Sequence, residues 1–404
     1  MSGLTLSEKI LSAHSGREVR AGEITFCDVD FMMVPDSTGL YAVRSFSQLG
    51  KDKVCDPAKI LFVFDHCSPA PNENLANVQQ YQRRFANEQG ITIAEGGEGV
   101  CHQITVERGH ASVGKLVVGA DSHTCTYGAV GAFATGIGAT DMAACMASGK
   151  NWFKVPETIR INLHGKLPKG ASAKDIILTV MGRLGADGAN YRAVEFYGEY
   201  FETCTLADRM TIMNMVVEMG AKNGFTCFSG LGIQADPDAE YCEVHDFDLE
   251  TFVPCVAKPH TVDNWAPISE VAGTPVQFAF LGSCTNGRYE DLKSAADILR
   301  GKHIAKGVRF LVAPASKDVL LKAVETGVLR DLVEAGAALF TCGCGVCVGT
   351  HGGVPCDGET AISTSNRNFK GRMGNPNAQI FLASAATVAA SALNGCITDP
   401  AAYM

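Results

Sequence analysis

Short apolar runs closed by polar clusters recur along the chain. The runs Lys59–Phe64, Ile91–Ala94, Leu116–Gly119, Ile159–Leu163, Val276–Leu281, Val308–Val312, Ala337–Thr341 and Ala361–Ser363 read as strands. Helical patterns fall between them. Pro71–Gln89 is polar, with apolar returns at Leu75, Val78 and Phe85. Ser172-Ala173-Lys174-Asp175 reads as a capping box opening a helix over Ile176–Leu184, with Gly185 as its stop. Arg288–Leu299 ends at Gly301, and Ser316–Glu334 breaks near Gly327 and ends at Gly336. A further helix, Leu206–Gly220, is rich in Met and Val and carries Asn214 and Glu218 at i, i+4, on one face. Strands alternating with helices predict an α/β fold. No repeat with a period of roughly 20–50 residues is present, which excludes solenoids and propellers.

Polar motifs stand just past the apolar strands. ILFVF leads to Asp65-His66, KLVVG to Asp121-Ser122-His123, and VQFAFL to Gly282-Ser283-Cys284. AALFT leads to Gly343-Cys344, and TAIST to Ser365-Asn366-Arg367. Open α/β sheets bind ligands at the carboxyl ends of their strands. Five strands ending this way predict one shared site. Pro156 and the glycines of 165–170 suggest one domain boundary. Pro254–Pro275 reads as a linker. The expected domains are 1–156, 157–270 and 271–404, with the cysteine motifs in the third.

Composition narrows the class. Aromatic residues are 8% of the 404, while glycine numbers 43, a balance that suits an α/β enzyme with tight turns. The net charge of −9 argues against a nucleic-acid partner. It leaves room for a small acid drawn to Arg288, Arg367, Lys370 and Arg372. The apolar stretch Ala378–Gly395 is broken by Gln379, Ser384, Thr387, Ser391 and Asn394, so no membrane span is expected. Sixteen cysteines without a secretory leader read as reduced and cytoplasmic. Cys27, Cys145, Cys204, Cys227, Cys242 and Cys255 lack metal-like spacing and are expected to be small core residues.

Three cysteines stand apart: Cys284, and the Cys344-Gly345-Val346-Cys347 pair. Three thiolates leave one position open on a metal centre, which distinguishes catalytic from structural sites. A zinc site would need a fourth ligand from Cys342, His351 or Cys356. Spacing alone leaves iron–sulfur and zinc both open. Asp65-His66 and Asp121-Ser122-His123 place histidines beside carboxylates, as a proton donor requires, and His102 is a third candidate. Metal-binding histidines carry a similar signature. The loop Ser365–Arg372 is dense in arginine and asparagine, and guanidinium forks match carboxylates. No phosphate loop and no complete dinucleotide fingerprint is present.

Taken together, GSCTNGR, GCGVC, VVGADSHTCTYGAVGAFATGIGATD and STSNRNFKGRMG resemble the signatures of the aconitase superfamily over nearly the whole chain. The resemblance implies a three-domain α/β/α core with Cys284, Cys344 and Cys347 holding one [4Fe-4S] cluster. It implies that Asp65-His66 protonates a departing hydroxyl, while His102, Asp121 and His123 line the site. Asn214 and Glu218 would stand near the cluster and its ligands. Ser122, Asn366, Arg367 and Arg372 would hold substrate or the cluster sulfurs. Family members with a mobile domain carry a serine base there. This chain stops soon after its last motif, so a separate small subunit is expected to supply base and selectivity. The implied substrate is a small dicarboxylic hydroxy acid of malate type, dehydrated and rehydrated. Where aconitases place a glutamine, this chain reads Asp36-Ser37-Thr38-Gly39-Leu40, which points away from citrate. Cys342 stands where a non-cysteine is usual. Readings from other classes are a non-catalytic iron sensor and a zinc-stabilised binding module.

Overall fold

A computed structural model describes residues 2–404. Three large sheets organise it, beside a two-stranded antiparallel pair, Ile24–Asp28 with Lys150–Lys154. The first is fully parallel, in the order Thr92–Ala94, Ile60–Val63, Phe31–Pro35, Leu116–Gly119, Phe133–Gly136. Phe31–Pro35, Ile60–Val63 and Leu116–Gly119 are buried at every position, as expected for strands covered on both faces. The chain lays the Phe31 strand at the centre, adds two strands on one side, then returns to add two on the other. The switch point lies beside Pro35.

The third sheet repeats this winding. Its parallel strands run Gln379–Leu382, Thr360–Ser363, Phe278–Leu281, Arg309–Val312, Ala338–Leu339, with Phe278–Leu281 first in sequence and central. Two antiparallel strands, Cys255–Ala257 and Trp265–Pro267, extend its edge. The segment expected as a linker, Pro254–Pro275, is therefore part of this sheet. Its short, proline-flanked strands lack the apolar run that marks a central strand. The second sheet, between them in sequence, holds four parallel strands: Asn223–Thr226, Ala193–Tyr197, Thr158–His164 and Glu243–Asp248.

All eight strands expected from sequence are present: Leu116–Gly119 has the expected bounds, the strands at 159–163 and 361–363 extend to Thr158–His164 and Thr360–Ser363, and the other five are shorter. Helix Ala173–Leu184 opens at the predicted Ser172–Asp175 motif, with the Ser172 N–H and hydroxyl both donating to the Asp175 carboxylate at 2.8 Å. The Ser316 helix breaks at Gly327, which adopts φ 77°, into Lys317–Glu325 and Val328–Glu334. Leu206–Met215 is α-helical, but Val216–Met219 tightens to a 3₁₀ turn. Of the cysteines expected in the core, Cys27, Cys145, Cys227 and Cys255 are buried. Cys204 is half-buried, and Cys242 is exposed at the start of an edge strand, where a small side chain needs no core.

One apolar cluster runs from Ile161 and Phe196 in the second sheet to Phe280 in the third, and includes Cys344 and Cys347. The first and third sheets meet through backbone. Val100 N–H donates to the Ala315 carbonyl at 2.8 Å, and Lys317 N–H to the Glu98 carbonyl at 2.9 Å. Gly99 sits in this seam at φ 144°, where a Cβ would lie 2.7 Å from the Ala315 oxygen. No helix among the described residues is long and apolar enough to cross a membrane.

Candidate active site

The two switch points deliver the site. Past Val63, the Asp65 carboxylate is fully buried; its Oδ1 bonds His66 Nδ1 at 2.8 Å and its Oδ2 accepts the Cys101 N–H at 2.7 Å. Past Pro35, buried Asp36 accepts the backbone N–H groups of His66 and Cys67 at 2.9 and 3.0 Å. Past Gly119, Asp121 joins three histidines. Its carboxylate meets His102 Nε2 at 2.7 Å, His66 Nε2 at 3.6 Å and His123 Nδ1 at 3.5 Å. Glu218 holds His123 Nε2 at 2.8 Å.

The charges follow from this packing. Burial alone would push His66 down, but Asp65 and Asp121 outweigh it and hold its pKa well above the ordinary histidine value. Burial would push Asp121 up, but His102, His123 and His66 hold it well below the carboxylate range. Glu218 is likewise lowered against burial, by His123 and Arg367. A protonated imidazole clamped by ionised carboxylates can give a proton to an oxygen placed at Nε2.

The third sheet faces this histidine group. Ser283, buried at φ 76°, turns the chain so that Cys284 follows. A non-glycine residue in that region is uncommon and marks a functional constraint. The Cys284 sulfur accepts from the side-chain amides of Asn214 at 3.2 Å and Asn366 at 3.4 Å. Cys347 accepts from the Arg372 guanidinium at 3.5 Å. The neighbouring Cys344 thiol and the Arg372 guanidinium draw Cys347 well below the usual thiol range. Arg367 Nε bonds both oxygens of Glu218, at 2.8 and 3.0 Å, and its Nη2 donates to Ser122 at 3.0 Å. A cavity of ≈220 Å³ opens between His66, His102, His123, Cys284, Cys344 and Arg372. A larger one, ≈490 Å³, lies near Thr5, Arg20 and Tyr241 and contains none of the expected site residues.

The histidines, their carboxylates, the three cysteines and Ser122, Asn214, Asn366, Arg367 and Arg372 thus fall in one neighbourhood. Asn214 and Glu218 both reach it from the Leu206 helix and the turn that follows. Two expected cations do not. Arg288 is buried and spends its guanidinium on Gln103 and the carbonyls of Cys284 and Thr285. Lys370 is exposed. The candidate fourth zinc ligands are also diverted: His351 donates to the Ser68 carbonyl at 2.6 Å, and Cys356 is exposed. Among the described residues, the groups whose ligand atoms lie within 4.8 Å of one another are His102–His123–Cys284 and Asp36–Asp65–His66. The three motif cysteines form no such group. Thiolates around one zinc ion would stand about 3.8 Å apart, so this wider set suits a polynuclear centre. Sequence reasoning missed Lys174 and Thr350, and weighed His351 only as a possible zinc ligand. Lys174 entered only as part of the capping box, and no pattern marks Thr350.

Comparison with known proteins follows the same line. A family model described as "Aconitase family (aconitate hydratase)" matches residues 8–230 and 269–395. A "3-isopropylmalate dehydratase large subunit 2" of Archaeoglobus fulgidus is 49% identical over 417 aligned positions, covering 100% of both chains. A "3-isopropylmalate dehydratase large subunit 1" of Thermotoga maritima is 48% identical with the same coverage. A "probable methanogen homoaconitase large subunit" of Methanothermobacter thermautotrophicus is 46% identical, covering 99% of this chain and 98% of its own. Among solved structures, the holo form of Thermococcus kodakaraensis aconitase X aligns at TM-score 0.53 and 13% identity, over 87% of this chain and 88% of its own.

Proposed function

The chain belongs to the aconitase family, and on that premise we propose that it is the large subunit of a 3-isopropylmalate dehydratase. This is a hydro-lyase that interconverts 2-isopropylmalate and 3-isopropylmalate by removing and re-adding water, a step of leucine synthesis. Full-length relatives carrying that name support the reading. A reduced, cytoplasmic setting fits sixteen free cysteines.

In this reading Cys284, Cys344 and Cys347 hold one [4Fe-4S] cluster. The donor set fits: all three thiols are buried, Cys284 receives the amides of Asn214 and Asn366, and Cys347 receives the guanidinium of Arg372. Arg372 also keeps a buried Nε with no partner, a donor left over for a ligand. When bound, the cluster supplies Lewis acidity at the iron that no cysteine covers.

The remaining roles fall to the chain's own groups. Asp65 fixes the His66 tautomer by taking Nδ1–H, which leaves Nε2–H to protonate the departing hydroxyl. Asp121 holds His102 and His123 around the same space. Arg367, braced by Glu218 and Ser122, and Arg372 clamp substrate carboxylates and so set the reacting geometry. The base for the carbon-bound proton is assigned to a small-subunit partner, in keeping with relatives named as large subunits.

The observation that carries the reading is the Asp121 carboxylate shared by three histidines opposite three thiols. The test is anaerobic reconstitution with iron and sulfide, co-expression with the small subunit, and turnover on a panel of malate derivatives. Turnover of 3-isopropylmalate above the other diacids is expected. Preference for homoaconitate, or for dimethylmalate or methylmalate, would reassign the substrate; a chain that binds zinc and no iron would overturn the lyase.

A further inference from the structure

Lys174 stands outside every role given so far. It lies on Ala173–Leu184 and is 1% exposed. Its Nζ donates to the carbonyls of Thr364 at 2.8 Å and Ser365 at 2.7 Å. Both partners are neutral. The adjacent Asp175 is occupied by Ser172 and by the Cys255 N–H. Asp291 is occupied by Asn286 and the Arg288 N–H. A buried ammonium without a carboxylate partner is costly. Burial pushes Lys174 down to about 7, while Asp291, Cys347 and Cys284 pull the other way.

The position of the two carbonyls explains what that cost secures. Thr364 and Ser365 join the strand Thr360–Ser363 to Asn366 and Arg367. Asn366 then aims at Cys284, and Arg367 at Glu218 and Ser122. Thr364 also bridges the carbonyl and N–H of Gly282, at the head of the Cys284 loop. One ammonium therefore braces the turn and lends it its charge.

We propose that Lys174 is a positioning residue for the thiol site: it fixes the Thr364–Ser365 turn that aims Asn366 and Arg367, and it brings a positive charge to that turn. This rests on the cluster-bearing lyase reading.

The test uses the anaerobically reconstituted chain with its small subunit. It compares wild type, Lys174→Gln and Lys174→Arg by midpoint potential of the cluster and by KM against kcat. Lys174→Gln keeps a donor but no charge, so a lower midpoint potential is expected. Lys174→Arg keeps the charge but displaces the donors, so an unchanged potential and a several-fold higher KM are expected. Equal potentials in wild type and Lys174→Gln overturn the charge role. An unchanged KM in Lys174→Arg overturns the positioning role. A wild-type chain that loads no cluster overturns the underlying reading instead, and the inference with it.

Discussion

The carbonyl of Asp65 accepts the backbone N–H of Cys344 at 2.8 Å, so the histidine loop and a cysteine loop share a hydrogen bond. Two more bonds strengthen the seam: Thr350 Oγ1 donates to the His66 carbonyl at 2.5 Å, and His351 to the Ser68 carbonyl. The proton donor is therefore held partly by the loop that carries two of the thiols. Thr350→Val removes one bond, worth about 1 kcal/mol. It is expected to lower kcat several-fold while iron and sulfide content stay at the wild-type level. Unchanged kcat would show that the seam is not needed to aim His66.

His66→Gln removes the ionisable ring and keeps a polar side chain of similar reach. Loss of a positioned general acid costs about 10²–10⁴ in rate. The expected outcome is that fall in kcat, with cluster absorbance retained. Residual turnover near wild type would transfer the proton to another group.

Cys284→Ser, Cys344→Ser and Cys347→Ser are each expected to abolish or strongly reduce visible cluster absorbance. Cys342→Ser is expected to leave it intact, since Cys342 is buried outside the thiol network. Iron and sulfide assays on the four variants check this. A Cys342→Ser chain without a cluster would redefine the ligand set.

The cluster-free chain should show a stability profile set in part by Asp121. His66 gains protonation on folding, so its contribution is complete below about pH 6.5 and is lost as pH rises through its raised folded value. Asp121 behaves in the opposite sense. Its contribution is present above about pH 3.9 and is lost as pH falls through its depressed folded value. Both are fully present between about pH 4 and 6.5. Asp121→Asn should flatten both limbs in urea melts taken across pH. Identical curves for variant and wild type would refute the shared role.

Asp36 accepts three buried donors: the N–H groups of His66 and Cys67, and the Gln79 side chain at 3.0 Å. Asp36→Ala leaves them unpaired, at a cost of about 2–4 kcal/mol in all. A clear fall in thermal midpoint is expected. Asp36→Asn, which keeps one acceptor oxygen, should recover part of it.

Much of the site was legible because reactive residues follow apolar strands, and a strand's end fixes where its next residues go. Cys284, Asp121 and Asn366 were readable for that reason. Phe31–Pro35, the centre of the first sheet, was not. Two methionines and a closing proline give it weak strand character, and its place comes from neighbours on both sides. Gln379–Leu382 was hidden inside the longer apolar stretch that runs into the helix Ala385–Asn394. Arg288 was misread because a cation near a cysteine motif suggests substrate, whereas here its partners are backbone carbonyls made available only by the folded loop. Lys174 was silent, because a lysine in a helix reads as solvated until tertiary packing closes over it.

Two sheets wound alike meet at Gly99 and Ala315, and neither half alone encloses the reaction. Histidines come from one sheet and thiols from the other, so the packing of this seam sets the distance between acid and sulfur. A side chain forced in at Gly99 would press on the Ala315 and Ser316 backbone and part the acid from the sulfur, at a cost to stability as well.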